Sequence, residues 1–192
     1  AGAKYIAEAL KENSTITNLH LGSNNIKTAG AEYIAEALKE NSTITELHLG
    51  YNNIGIDGVR YITDALKINT TITDLNLECS QIGDNEAQCI ADALKINSTI
   101  TKLHLNVNNI GDNGAKYIAD ALKINSTITT LNLRGNNIGD DAATYIADLI
   151  DRNIASFKEF AEKIVKDNSI SPDKILNIND LNRLKNCDKV LL

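Results

Sequence analysis

The sequence has no methionine, no tryptophan, one proline and two phenylalanines among its 192 residues. It has no apolar run near the ~20 residues that a membrane-spanning helix needs, so we expect no membrane partner. Basic residues are in deficit, because 19 Lys and Arg stand against 25 Asp and Glu, a net charge of −6. That balance argues against a nucleic-acid partner, which normally requires a basic face. Since translation starts with methionine, we expect a fragment of a longer protein, in which an upstream secretion signal would not be visible.

Cysteine is also scarce. Cys79, Cys89 and Cys187 are an odd number, and no pair has CxxC spacing. This pattern is typical of a reduced intracellular chain rather than of a disulfide-stabilised domain. We therefore expect a cytoplasmic protein.

A period of 28 residues dominates the sequence. The unit from Ile100 reads ITKLHLNVNNIGDNGAKYIADALKINST, and the unit from Ile44 reads ITELHLGYNNIGIDGVRYITDALKINTT. Two leucine columns recur in every unit: Leu19, Leu47, Leu75, Leu103 and Leu131, then Leu21, Leu49, Leu77, Leu105 and Leu133. The only three histidines, His20, His48 and His104, share one phase of this period. The repeat therefore accounts for their spacing.

Each unit changes its hydrophobic period from two to about 3.6. Leu19 and Leu21 alternate with polar residues, which predicts a strand with one buried face. The next apolar positions fall at i, i+3, i+4 and i+7, which predicts an amphipathic helix. Aspartates at Asp84, Asp112 and Asp140 occupy the predicted N-cap. An asparagine follows each helix, where a left-handed C-terminal residue is tolerated: Asn13, Asn41, Asn69, Asn97, Asn125 and Asn153.

The pattern LxxLxLxxNxI followed by GAxYIAxALKxN resembles the leucine-rich repeat, specifically its 28-residue ribonuclease-inhibitor-like subtype. The resemblance covers residues 1–153, as the helix of a truncated repeat followed by five full repeats. It implies an α/β fold, a right-handed solenoid curved like a horseshoe, with a parallel β-sheet on the concave side and α-helices on the convex side. We expect further repeats or a capping segment upstream.

The resemblance also implies that one asparagine of each repeat is buried and bonds to neighbouring backbone. That column is Asn24, Asn52, Ser80, Asn108 and Asn136. Serine reaches less far than asparagine and has fewer bonding groups, so we expect the third repeat to be locally looser. The same repeat has Cys89 where most others have a helix tyrosine. We interpret both departures as drift, with adaptation to a ligand as the alternative.

The period stops after Asn153. Ser156 and Glu159 have the spacing of a capping box, Ser171-Pro172 is typical of a further helix start, and Leu181 and Leu184 indicate a last short helix. We predict that residues 154–192 form a helical C-terminal cap over Leu131, Leu133 and Ile146. A separate docking module is the alternative, but such a short segment is too small for its own core.

Outward positions of successive strands should form ladders about 4.8 Å apart on the concave face. Glu46, Asp74 and Glu78 cluster in repeats two and three, while Lys102 and Arg134 follow in repeats four and five. Tyr51, the only tyrosine outside the helix column, is typical of an interface anchor. Our candidate partner-binding residues are Glu46, His48, Tyr51, Asp74, Glu78, Lys102, His104 and Arg134. A protein with a basic surface would suit the acidic group.

Two chemical interpretations are weaker. His20 and His48 should be cross-strand neighbours with Glu46 nearby, but a zinc site needs three or four ligands, and His104 lies about 9–10 Å from His48. Cys79 should lie near His48 or His104, but an open sheet offers neither an enclosing pocket nor oxyanion donors. We therefore predict no metal ligands, no cofactor, no catalytic residues and no enzyme activity. On the helices we expect Ile68, Ile96 and Ile124 to pack between neighbours, with an exposed apolar strip for a partner as the alternative.

The resemblance implies non-enzymatic recognition of a protein by the concave face of a monomeric solenoid. Similar arrays occur in ribonuclease inhibitor, in NOD-like receptors, in the Ran GTPase-activating protein and in bacterial effectors, so the host cytosol is the expected site if the chain is a secreted effector. A GTPase-activating or other regulatory role is one alternative, although Arg60 and Arg134 match no motif for it. A structural spacer within a larger protein is another.

Overall fold

A computed structural model describes residues 2–168 as helices and strands in strict alternation. The helices are α1 (Gly2–Glu12), α2 (Lys27–Glu40), α3 (Gly55–Leu66), α4 (Asp84–Leu94), α5 (Asp112–Leu122) and α6 (Asp140–Asn168). The strands are β1 (Asn18–His20), β2 (Glu46–His48), β3 (Asp74–Asn76), β4 (Lys102–His104) and β5 (Thr130–Asn132). In this part of the chain, none of the helices is both long and apolar enough to cross a bilayer.

The five strands form one parallel sheet in the order β1-β2-β3-β4-β5. Each residue pairs with its equivalent in the next repeat, as Leu19 does with Leu47 and Leu47 with Leu75. Because every strand is followed by a helix on one side of the sheet, the units stack into a curved solenoid. The predicted α/β solenoid with a C-terminal helix is therefore confirmed.

The core lies between the sheet and the helices. Leu47, Leu49 and Ile44 of the second repeat are completely buried, and so are Ile34 and Leu38 of α2. Burying one such side chain contributes roughly 1.5–3 kcal/mol, and the period repeats that contribution in every unit. The leucines of β1 and β5 are only partly buried because each end strand has a neighbour on one side.

The expected asparagine column joins successive turns through hydrogen bonds. Asn52 and Asn108 are buried, whereas Asn136 is half-buried and Asn24, at the end of the array, is exposed. Asn52 accepts hydrogen bonds from the backbone N–H groups of Asn24 (2.9 Å) and Ile26 (3.3 Å). Its amide donates to the carbonyl oxygens of Leu21 and Leu49 at 2.7 and 2.9 Å. Asn108 makes the equivalent bonds to the third repeat. The Ser80 hydroxyl instead donates within its own turn, to the Glu78 carbonyl oxygen at 3.2 Å.

A second asparagine column, which follows the helices, also joins successive repeats through side-chain hydrogen bonds. We expected these residues to adopt a left-handed conformation after each helix, and that interpretation was wrong: Asn41 is extended, with φ −72°. Asn69 is 5% exposed, and its amide donates to the carbonyl oxygens of Leu38 (2.8 Å) and Asn41 (3.1 Å). Its side-chain oxygen accepts from the N–H of Ile72 at 2.9 Å. Burial and bonding, rather than helix termination, explain the residue type.

Asp84 and Asp112, at the starts of α4 and α5, bond to the start of the next repeat's helix rather than cap their own. Asp84 was predicted as an N-cap, but it is the first helical residue, and the cap position is Gly83. The Asp84 carboxylate accepts from the N–H groups of Gly111 (2.7 Å) and Gly114 (3.0 Å), at the start of α5. A Cβ at position 114 would lie 2.7 Å from that oxygen, so the contact requires glycine.

The last helix contradicts the predicted stop at Asn153. α6 continues without interruption to Asn168, so Ser156 is an interior helical residue rather than a cap. Asn153 is completely buried and donates to the carbonyl oxygens of Asn125 and Ile128, which removes its reason to end the helix. The division at 153/154 therefore falls inside a helix and, as a domain boundary, stays a prediction. The predicted features at 171–184 lie outside the described residues.

Candidate functional site

Each three-residue strand turns its middle leucine to the core, completely or nearly so in β2, β3 and β4, and its first and third side chains to the concave face. The first row comprises Asn18, Glu46, Asp74, Lys102 and Thr130, and the second comprises His20, His48, Asn76, His104 and Asn132. The register makes members of a row direct neighbours, so side chains 28 residues apart in sequence come together. Five of the predicted site residues lie in these rows: Glu46, His48, Asp74, Lys102 and His104.

Asp74 is the centre of the charged group. It is 9% exposed, although it stands on the open face of the sheet. Its Oδ2 lies 3.5 Å from the Lys102 ammonium, and its Oδ1 lies 3.5 Å from Nε2 of His104. The second approach is within ion-pair range but too long for a good hydrogen bond, and Oδ1 has no hydrogen-bond partner among residues 2–168. The predicted acidic and basic halves of the face therefore meet at Asp74 and Lys102.

His20 and His48 form a stacked pair beside this group. Their ring centroids are 4.0 Å apart and their planes are inclined by 19°. Burial lowers the pKa of His48, and His20 acts in the same direction. Glu46 lies on the same side of β2 as His48, and its carboxylate accepts a hydrogen bond from the Asn18 amide.

The third residue after each strand forms a further row, which we call the exit row: Ser23, Tyr51, Cys79, Val107 and Gly135. All five have positive φ, between 49° and 70°. Tyr51 is 52% exposed, and its hydroxyl donates to a Glu78 carboxylate oxygen at 3.2 Å. The Cys79 side chain and then Glu78 raise the pKa of Tyr51 to about 12.

Val107 belongs to the exit row but was not among the binding residues predicted from the sequence. It is 49% exposed with φ 55°, a conformation that a β-branched residue rarely adopts. The inter-repeat bond from its N–H to the Arg134 carbonyl oxygen, at 2.7 Å, fixes the backbone there. An exposed, strained apolar side chain contributes little to folding, so it marks a candidate contact residue. The sequence signal that could have identified Val107 is its position in the same column as Gly135, where a bulky residue is unexpected.

The strain at Val107 gives a direct prediction. Val107→Gly should stabilise the array by about 1 kcal/mol, since relief of left-handed strain outweighs the greater chain entropy of glycine. Gly135→Val, the reverse change one repeat later, should destabilise it. Urea unfolding followed by circular dichroism measures both. A loss of stability in Val107→Gly together with a gain in Gly135→Val would show that chain entropy dominates and that the exit row carries no strain.

Three predicted site residues lie outside the two strand rows: Tyr51, Glu78 and Arg134. Glu78 and Tyr51 are in contact, whereas Arg134 is exposed beyond β5, two repeats from Glu78. On the convex side, Ile68, Ile96 and Ile124 are 59–66% exposed. Our expectation that these isoleucines pack between helices was therefore wrong, because they follow the last turn of each helix, where no neighbouring helix covers them. They form a second, apolar surface.

Comparison with known proteins identifies the repeat. A family model described as "Leucine Rich repeat" matches residues 12–35, 40–62, 69–91, 97–119 and 125–147, more than half of the chain. No curated protein matches the sequence.

Solved structures share the fold. The structure titled "Leiomodin-1 Actin-Binding Site 2" superposes with a TM-score of 0.74 at 24% identity, over 85% of this chain and 94% of that one. The C-terminal domain of tropomodulin from Caenorhabditis elegans gives a TM-score of 0.72 at 11% identity, over 82% and 96%. At these identities the likeness concerns the fold alone.

Proposed function

Since the chain belongs to the leucine-rich-repeat family, we propose that it is a binding module that recognises another protein through its concave face and has no chemistry of its own. The 28-residue period supports placing it in the ribonuclease-inhibitor-like subtype. The binding residues in this proposal are Glu46, His48, Tyr51, Asp74, Glu78, Lys102, His104 and Arg134, to which we add Val107 of the exit row. We keep a monomeric cytoplasmic protein as part of the proposal.

The observation that carries the proposal is the unpaired oxygen of Asp74. A carboxylate oxygen removed from water without a hydrogen-bond donor costs folding free energy. An Arg or Lys side chain of a partner would supply that donor once the His104 ring, whose Nε2 lies 3.5 Å from Oδ1, turns aside, and it would also meet Glu46 and Glu78. The partner surface we propose is therefore basic, which agrees with the net charge of −6.

The exit row supplies apolar contacts beside the charges. Tyr51 and Val107 line one shallow depression together with Cys79. Tyrosine is enriched among interface hot spots, and the Tyr51 hydroxyl contacts the half-buried Glu78 carboxylate. This arrangement supports a compact contact over repeats two to four.

The test compares capture of partners by three purified forms of the chain. The first is unchanged, the second carries Glu46→Lys, Tyr51→Ala and Asp74→Lys on the concave face, and the third carries Glu36→Lys, Tyr33→Ala and Asp64→Lys on the helices. The second and third have the same change in charge and lose the same ring. Actin is the first defined partner to try, because the leiomodin-1 structure is titled an actin-binding site.

We expect a partner that the unchanged and helix-substituted forms retain and the concave-face form loses, with all three equally folded by circular dichroism. Loss in the helix-substituted form alone would place recognition on the convex side, near Ile68, Ile96 and Ile124. Faster GTP hydrolysis by a small GTPase would favour the regulatory alternative. Partners unaffected by either set of changes would favour a spacer role.

A further inference from the structure

Three metal-ligating side chains converge at the first two strands. His20, Glu46 and His48 each offer one ligand atom, and these atoms all lie within 4.8 Å of one another. The β1–β2 register places His20 opposite His48, and Glu46 is two residues before His48 on the same face of β2. We propose that this trio binds one divalent transition metal ion of the Zn²⁺ class on the concave face.

The ligand types fit that class. Two imidazole nitrogens and one carboxylate oxygen are a donor set that zinc accepts, with a fourth position left open. Nitrogen donors disfavour Mg²⁺ and Ca²⁺, which prefer oxygen. From the sequence, Glu46 was expected near His20 and His48, and His104 was too distant to be a further ligand. The structure brings ligand atoms of Glu46 and both histidines within 4.8 Å of one another, which makes a set of three.

A neighbouring amide orients the carboxylate. The Asn18 side chain donates to Oε2 of Glu46, which leaves Oε1 for an ion. Metal-bound carboxylates are commonly held by such hydrogen bonds.

Metal binding requires one local rearrangement. Nitrogen lone pairs lie in the ring planes, and the planes of His20 and His48 are inclined by only 19°, so their lone pairs do not yet point at one position. The ring of His20 is exposed and on the end strand, so it is free to tilt out of the stack. The half-buried His48 and Glu46 would stay in place.

The chain contains its own control. On the adjacent strands β3 and β4, Asp74 and His104 also bring an acid close to a histidine. Asn76, however, stands opposite His104, where a second histidine would be needed. This pair lacks a third ligand, so it should not bind an ion comparably.

Isothermal titration of the reduced full chain with Zn²⁺ at neutral pH, with histidine NMR spectra in parallel, tests the site. We expect one ion per chain, with ring signals of His20 and His48 shifting and those of His104 unchanged. His20→Ala, His48→Ala and Glu46→Gln should each weaken binding at least tenfold, whereas Asp92→Asn, on the exposed face of α4, should leave it unchanged.

Three results would overturn the proposal. Absence of saturable binding would do so directly. Binding that survives His48→Ala would assign the ion to thiols or other groups. Binding that Glu46→Gln leaves unchanged would reduce the site to an exposed histidine pair. None of these outcomes depends on capture of a protein partner, so this proposal and the proposed function can fail separately.

Discussion

Asn52→Ala is expected to destabilise the array by roughly 3–5 kcal/mol, because it leaves several buried backbone groups without partners at about 1–3 kcal/mol each. Asn52 is completely buried, and its side chain joins the turns of the first two repeats. Contacts in a solenoid run only between neighbouring repeats, so the loss should be local. We expect the region of α1 and β1 to open before the rest unfolds.

Ser80→Asn provides the reciprocal change in the same column. It should stabilise the array by about 1–2 kcal/mol, since the longer amide can reach the turn of the second repeat as Asn52 and Asn108 reach theirs. Urea unfolding by circular dichroism gives both free energies, and amide hydrogen exchange locates the opening. The account of the column would be contradicted if Asn52→Ala cost less than about 1 kcal/mol, the value of an exposed polar contact.

Asp74→Ala is expected to weaken partner binding on the order of 2–5 kcal/mol, which is roughly 30-fold or more. The same change should leave the free energy of unfolding unchanged or slightly increased. The reason is that Asp74 is buried with an unpaired oxygen, while the Lys102 side chain that it would leave behind is 53% exposed and stays hydrated. Opposite effects on binding and on stability distinguish a recognition residue from a structural one.

Asp92→Ala is the matched control for Asp74→Ala. Asp92 is paired with Lys95 on the exposed face of α4, away from the sheet. Asp92→Ala should change neither the affinity for the partner nor the free energy of unfolding measurably, because exposed pairs contribute about 0–1 kcal/mol. Equal loss of stability in both variants, with binding intact, would remove Asp74 from the site.

Periodicity made the fold predictable. Leu47, Leu75 and Leu103 recur at a fixed interval, and a fixed interval in a stacked array means direct register. The same logic placed Glu46, Asp74 and Lys102 side by side on one face. It also predicted that His20 and His48 are neighbours with Glu46 nearby, but not that the three ligand atoms converge within 4.8 Å.

Interactions that run between repeats were harder to predict. A residue one position from a helix start suggests a cap on its own helix, and nothing local shows that the Asp84 carboxylate reaches the next one. The left-handed backbone at Val107 is set by its bond to the Arg134 carbonyl oxygen, against its own preference. α6 continues past Asn153 because that side chain is satisfied by the previous repeat and because good helix formers follow it.

The most direct test of concave-face recognition is site-specific photo-crosslinking. A photoreactive phenylalanine analogue would replace Tyr51, which is 52% exposed beside the sheet, or Tyr117, which is 37% exposed on α5. Both replace an exposed tyrosine, so the chemistry is matched and only the face differs. With a captured partner present, we predict a covalent adduct from position 51, abolished by Asp74→Lys, and none from position 117. An adduct from position 117 with none from position 51 would contradict the account.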